Sequence, residues 1–436
     1  MRNVRACLTW LVCAAGPISA QEPVTLTIAT VDNPDMIRMQ TLSEEFTAAN
    51  PDIQLDWVTL GEGALREQVA AEIALGSRFD VLTLGTYEVP IWARGGWLVP
   101  FEDLPPEYDL DDLLPPIRRA LSVDGRLYAA PFYGESAMTI VRTDLLAEGG
   151  LSLPEAPTWE EVKRIADDLH DPENGIYGIC LRGEPGWGEN MALITAMANS
   201  MGARWFDEAW RPQFDTPEWR ATLDLYLALM ALGPPEPETR GFNEILGLYR
   251  DGRCALAIDA TVAASVLVDP DQSSVADRVG FALAPDAGRS KRANWLWAWS
   301  LAIPASSDAI SEAQLFVAWA TSREYTALVA ERDGWTAAPP GTRTSLYENP
   351  DYLAAAPFAP ITLRSITLAD PENPTVEPVP YVGIQFVAIP EFQGLGTAVG
   401  REFAAAVSGR KTADEALAAA QRIALQEMTA AGYLRR

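Results

Sequence analysis

From residue 24 onward the spacing of apolar and polar positions assigns elements one after another. Val24 to Thr30 (VTLTIAT) alternates and is β-branched, which predicts a strand. Pro34 opens a segment with Ile37, Met39, Leu42 and Phe46 near helical spacing, and Asn50-Pro51 stops it. Ile53 to Val58 reads as a second strand, Leu65, Val69 and Ile73 mark a second helix, Phe79 to Leu84 is a third strand, and Tyr87 to Ala93 is a short helix. This β-α-β-α-β alternation predicts an α/β domain with a mainly parallel sheet. Ligands of such sheets sit beyond the carboxyl ends of the strands, which singles out Val31-Asp32-Asn33 and Gly85-Thr86-Tyr87-Glu88.

Further along, Leu127 to Ser136 is extended, breaks at Gly134, and runs on extended through Val141. It reads as a strand crossing between two domains, with the glycine allowing the bend. A second α/β region follows. Thr158 and Glu161 form a capping box for a helix starting at Trp159. Gly188–Met201 and Trp219–Leu232 are helical, and Cys254–Asp259 is a buried strand ending in an acid. Asn294 to Ser300 (NWLWAWS) carries tryptophans at alternate positions, so in a strand all three indoles share one face. This segment is a candidate second crossing. One helix is expected over Asp308–Ala330, the Gly/Pro-rich 334–342 is a candidate third crossing, and Gly394–Ala430 reads as two helices joined near Ser408–Arg410.

Bulk composition narrows the class. The chain has 436 residues, more than one ordinary core accommodates, with 48% hydrophobic and 21% charged residues as in soluble globular proteins. A formal net charge of -27 argues against nucleic acid and anionic membrane surfaces as partners. Arg2 and Arg5, a short apolar run and small residues up to Ala20 have the layout of a secretory signal peptide over residues 1–20. In an exported chain Cys180 and Cys254 can form a disulfide or remain buried thiols; spacing does not decide.

His170 is the one histidine, which leaves little room for Ser-His-Asp, Cys-His or histidine-zinc chemistry, and no Gly-rich phosphate loop follows a strand. No cofactor or metal is expected. Among the many acids, Glu88, Glu135, Glu189 and Asp259 stand where strands or crossings end, and carboxylates accept hydrogen bonds from hydroxyl groups. Trp187, between glycines, and Asn190 suit a stacking wall and a donor-acceptor; a plain helix cap is the alternative. Arg182 and Arg343 are candidate donors, with surface ion pairs as the alternative.

The segments TIATVDNPDMIRMQ (27–40), FDVLTLGTYEVPIWARGGWLV (79–99), YAAPFYGES (128–136) and ICLRGEPGWGENM (179–191) resemble the extracellular solute-binding proteins of ABC importers. So do DATVAAS (259–265), NWLWAWSLAIP (294–304), PPGTRTSLYENP (339–350), QFVAIPEFQG (385–394) and SGRKTADEAL (408–417). The likeness is to the maltose-binding cluster and, within it, to the sorbitol/mannitol binders, and it spans essentially the whole chain after residue 20. It implies a two-lobed periplasmic binding protein fold with three hinge crossings and a ligand cleft between the lobes. Lobe 1 would comprise 21–133 with 296–338, and lobe 2 would comprise 134–295 with 339–436. The implied function is capture of a linear polyol (sorbitol, mannitol or arabitol) by hinge closure and delivery to membrane permease subunits, as a monomer and without bond chemistry. Glu135 matches an acid that contacts sugar in that cluster, and Asn33, Glu88, Trp187 and Asp259 fall on cleft loops. Tyr87, Tyr133, Arg182, Asn190, Arg343 and Gln385 complete the polar candidates. A linear polyol cannot meet three indoles, so Trp295 and Trp297 are assigned to the cleft and Trp299 to packing beneath the hinge. The competing expectation is a secreted carbohydrate-active enzyme with a carboxylate pair, Glu135 with Glu189 or Asp259.

Overall fold

The computed structural model describes residues 23–73, 75–102 and 104–434, so the expected signal peptide, 1–20, lies outside the described residues. Strands in chain order are β1 Val24–Val31, β2 Ile53–Leu60, β3 Val81–Gly85, β4 Ser122–Val123, β5 Arg126–Leu127 and β6 Ala129–Glu135. They continue with β7 Ala137–Arg142, β8 Tyr177–Cys180, β9 Cys254–Ala260, β10 Val279–Leu283 and β11 Trp297–Ala302. One sheet has the order β2-β1-β3-β11-β6, another β10-β7-β9-β8, and β4 and β5 make a small hairpin.

The first sheet begins as the alternation predicts. β1 pairs in parallel with β2 over its whole length and with β3 at Ile28 and Ala29, and the connecting helices are Pro34–Ala49 and Glu62–Ile73. Asn33 caps the first of these helices, its Oδ1 accepting from the Met36 amide at 2.9 Å. Helix Glu62–Ile73 buries Leu65, Val69 and Ile73 against the sheet, the stripe read from the sequence. β11 then inserts antiparallel between β3 and β6.

The chain passes from the first sheet to the second at Ser136, one residue between β6 and β7. It returns over residues 284–296, between β10 and β11. A third segment, Pro339–Thr342, touches the first passage: the Gly134 amide donates to the Pro340 carbonyl at 2.8 Å. A Cβ on Gly134 would lie 2.3 Å from the Gly341 carbonyl oxygen, and Gly341 has φ +73°, so this approach requires glycine at both positions.

The capping box at Thr158 and Glu161 is present, and His170 closes that helix with Nδ1 accepting from the Gly178 amide. The single helix expected over 308–330 is two helices, Ile310–Ala320 and Arg323–Asp333. Ser322 starts the second by accepting from the Tyr325 amide, a hydroxyl cap that the uninterrupted apolar stripe conceals. The C-terminal helices are Phe392–Val407 and Ala413–Ala430. Cys180 and Cys254 form a disulfide between β8 and β9, Cα–Cα 5.8 Å. No helix among the described residues is long and apolar enough to cross a membrane.

Candidate functional site

A cavity of about 250 Å³ lies where the two sheets present their strand ends. Its walls are aromatic. Trp187, Trp295, Trp297, Trp299, Tyr133 and Phe242 line it. Trp297 and Trp299 share one face of β11 up to a bulge between Trp299 and Ser300, and Trp295, two residues before the strand, reaches the same cavity. Trp299 is therefore not set aside beneath a hinge as the sequence reading assigned it; it joins the wall, 5.5 Å from Trp297 in a T-shaped pair. Gly85 leaves room for Trp297 in that wall. A Cβ there would sit 2.0 Å from the Trp297 ring.

Two guanidiniums supply the polar frame. Arg182, reached just after β8, donates from Nε to both oxygens of Asp259 at 3.1 Å and from Nη1 to the Gly188 carbonyl at 3.1 Å. Glu189 lies 3.6 Å from the same Nη1. Burial opposes the Arg182 charge, but Asp259, Glu189 and Glu135 outweigh it and hold its pKa above the usual arginine value. Arg66 projects from helix Glu62–Ile73. It donates to Glu88 at 2.5 Å and to Glu62 at 2.8 Å, and lies over the Trp187 ring at 4.3 Å. Its pKa is also raised, burial being overcome by Glu88 and Glu62.

Glu135, the last residue of β6, differs from the other acids. It is 8% exposed and faces the cavity, and no donor among the described residues reaches its carboxylate. Burial pushes its pKa up to about 8; Arg182 opposes this, while Asp259, Glu62 and Asp35 add to it. Glu189 is also raised, to about 7, by burial first, with Arg182 opposing and Glu62 and Asp259 reinforcing. The Tyr133 hydroxyl accepts from Asn33 Nδ2 at 3.1 Å and so keeps its own hydrogen to donate. Gln385 is held by the Leu296 backbone, donating from Nε2 to the carbonyl at 2.8 Å, which leaves a second amide hydrogen.

Of the candidates read from the sequence, Asn33, Tyr133, Glu135, Arg182, Trp187 and Trp295 line this cavity, with Trp297 and Gln385. Five others do not. Tyr87 donates its hydroxyl to the Ile389 carbonyl at 2.7 Å. Glu88 and Asp259 stand behind the two guanidiniums. Asn190 staples its loop, accepting from Gly186 N and donating to Gly400 O. Arg343 is neither a cavity donor nor a surface ion pair. It is 2% exposed, and its donors are taken by the Tyr108 and Thr321 carbonyls and by Asp112. Tyr87, Asn190 and Arg343 thus spend their polar groups mainly on backbone, and Glu88 and Asp259 on the guanidiniums, instead of on a ligand. The sequence reading missed Arg66, Glu62, Phe242 and Asn243. The signal for the first two was the i,i+4 Glu62–Arg66 pair at the helix start that follows β2. Glu189 was singled out among the acids and lies in the lining.

The model of the bacterial extracellular solute-binding proteins matches residues 33–327. A mannitol-binding protein of Pseudomonas aeruginosa is 53% identical over 433 residues, covering 99% of each chain. The crystal structure of an Agrobacterium vitis ABC-transporter solute-binding protein with bound D-mannitol superposes with a TM-score of 0.92 at 57% identity, covering 94% of this chain and 100% of that one. A maltose-bound T. maritima protein shares the fold alone, with a TM-score of 0.79 at 21% identity over 92% of this chain and 99% of that one.

Proposed function

The chain belongs to the bacterial extracellular solute-binding proteins, and from that premise we propose that it is the periplasmic receptor of an ABC importer for a linear polyol, with mannitol the first ligand to test. Relatives at 53% and 57% identity, one a mannitol-binding protein and one holding D-mannitol, support this reading. The observation that carries it is the cavity. About 250 Å³ falls just below the range of about 300–1,000 Å³ for drug-sized ligands, so the space suits one small molecule and not an oligosaccharide. Indole faces cover the C–H edges of such a chain, while Glu135, Arg182, Tyr133 and Gln385 meet its hydroxyls. No bond is made or broken; the acids serve as hydrogen-bonding partners.

In this reading residues 21–133 with 296–338 form lobe 1, and 134–295 with 339–436 form lobe 2. Support comes from the passage at Ser136, two residues beyond the first of those boundaries, and from the glycine contact between Gly134 and Gly341. The lobes close on the ligand as a hinge, and the loaded monomer docks on the permease subunits. Titration calorimetry with D-mannitol, D-sorbitol and D-arabitol, beside maltose and an amino acid, tests the assignment. Binding heat is expected for at least one hexitol. Heat for maltose alone would sink it.

A further inference from the structure

We propose that the cavity also takes a cationic ligand of the same shape, a linear amino-polyol whose primary ammonium pairs with Glu135, and that it turns away the corresponding sugar acids. This rests on the polyol reading and narrows its substrate class. Four carboxylates line the cavity, Asp32, Glu62, Glu135 and Glu189, against the guanidiniums of Arg66 and Arg182. Those two charges are already met from behind by Glu88 and Asp259 and from the side by Glu62 and Glu189. The remainder is negative, and its buried part is Glu135.

An uncharged polyol leaves that carboxylate with a poor choice. It can stay ionised beside a hydroxyl, bearing the cost of a buried uncompensated charge, or it can hold a proton. An ammonium removes the choice by supplying a charge-assisted hydrogen bond and the missing counter-charge together. The groups facing Glu135 electrostatically are Arg182, Asp259, Glu62 and Asp35, and all but Arg182 favour a cation beside it. Indole faces such as Trp295 also favour an ammonium over an anion. A sugar acid would place a further carboxylate among these four, where both guanidinium charges are already paired with acids.

The test is calorimetry at pH 7 with D-mannitol, aminodeoxymannitol (a primary amine replacing one terminal hydroxyl) and mannonate, on the wild type and on Glu135→Gln, with melting temperature as the control for folding. The expected result is that the amine binds wild type about tenfold more tightly than mannitol, that mannonate gives no heat, and that the amine's advantage disappears in Glu135→Gln whatever that change does to mannitol itself. Mannitol binding with no advantage for the amine would overturn the proposal and leave the polyol reading intact. An amine advantage that survives in Glu135→Gln would overturn Glu135 as the counter-ion. No heat from mannitol or the amine would overturn this proposal and leave the polyol reading to the sorbitol and arabitol titrations.

Discussion

Arg66 and Arg182 face one cavity from opposite sheets, each backed by a buried acid, flanked by a second acid and laid near an indole. Their attachments differ. Every hydrogen-bond and ion-pair partner of the Arg182 guanidinium comes from β9 or from the loop that follows β8, so its polar frame is complete within the second sheet's side. Arg66 rides on a helix of the first sheet, yet stacks on Trp187 from the second. Its partner Glu88 accepts from Gln393 at 3.0 Å, and Tyr87 beside it bonds to Ile389. One wall draws its ion pairs from the second sheet's side alone; the other keeps Glu62, Glu88, Trp297 and Trp299 from its own side and adds Trp187 and Gln393 from across. A hinge-closing receptor suits that division: a preformed half that captures the ligand and a half completed by closure.

The largest test of the comparison is Arg182→Met. It leaves Asp259, 3% exposed, as a buried charge without its partner, which costs about 3–5 kcal/mol of folding stability. Urea unfolding should show that loss, and calorimetry should show no ligand heat. A variant as stable as wild type would mean that the ion pair does not hold this wall. Next in size is the Cys180→Ala, Cys254→Ala double variant. The disulfide joins β8, which ends two residues before Arg182, to β9, which carries Asp259, across a sequence separation of 74, and its removal should cost about 2–4 kcal/mol. Mannitol affinity should stay within a few-fold where the protein is folded, because the guanidinium keeps its bonds.

Arg66→Met is the counterpart on the closing wall. Glu88 loses its counter-charge but retains the Gly85 amide and, in the closed protein, Gln393, so the stability loss should be smaller than in Arg182→Met. Ligand binding should weaken by about 1–3 kcal/mol, mostly through faster release, as for a well-packed group at the centre of an interface. Stopped-flow tryptophan fluorescence measures that rate. A slower association with unchanged release would place Arg66 in the capturing half and erase the distinction.

These two walls also differ in how far they could be read from sequence. The β-α-β-α-β start, the crossing at Gly134 and the tryptophan row all rest on periodicity, a local property, and Arg182 stood inside a distinctive segment. Arg66 lies in an ordinary amphipathic helix next to Leu65, and nothing local shows that its charge turns towards a tryptophan 121 positions later. Tyr87, Asn190 and Arg343 misled for the converse reason. Each is a polar residue near a crossing, and whether it serves a ligand or a backbone carbonyl depends on partners such as Ile389, Gly400 and Thr321 that only the fold brings near. The place of Trp297 in the wall depended likewise on Gly85 leaving room for its ring.

Per unit of pH, the smallest effect expected is a slope set by two acids beside Arg182, Glu135 at the end of β6 and Glu189. In the unfolded chain Glu135 and Glu189 ionise near the ordinary value of 4.5, whereas in the folded, empty protein burial holds them up to about 8 and about 7. Between those limits the folded state binds more protons than the unfolded one, so stability falls as pH rises. The contribution of the protonated forms is complete below about 4.5 and is lost as pH passes through about 7 and then about 8, with a slope of up to about 1.4 kcal/mol per pH unit for each proton. Melting of the ligand-free protein from pH 5 to 9 should decline accordingly, and Glu135→Gln, which has nothing to ionise, should flatten the curve above pH 7. If that substitution leaves the slope unaltered, the decline belongs to acids elsewhere, Glu135 is already ionised in the empty cavity, and the cavity carries a standing charge instead of a titrating one.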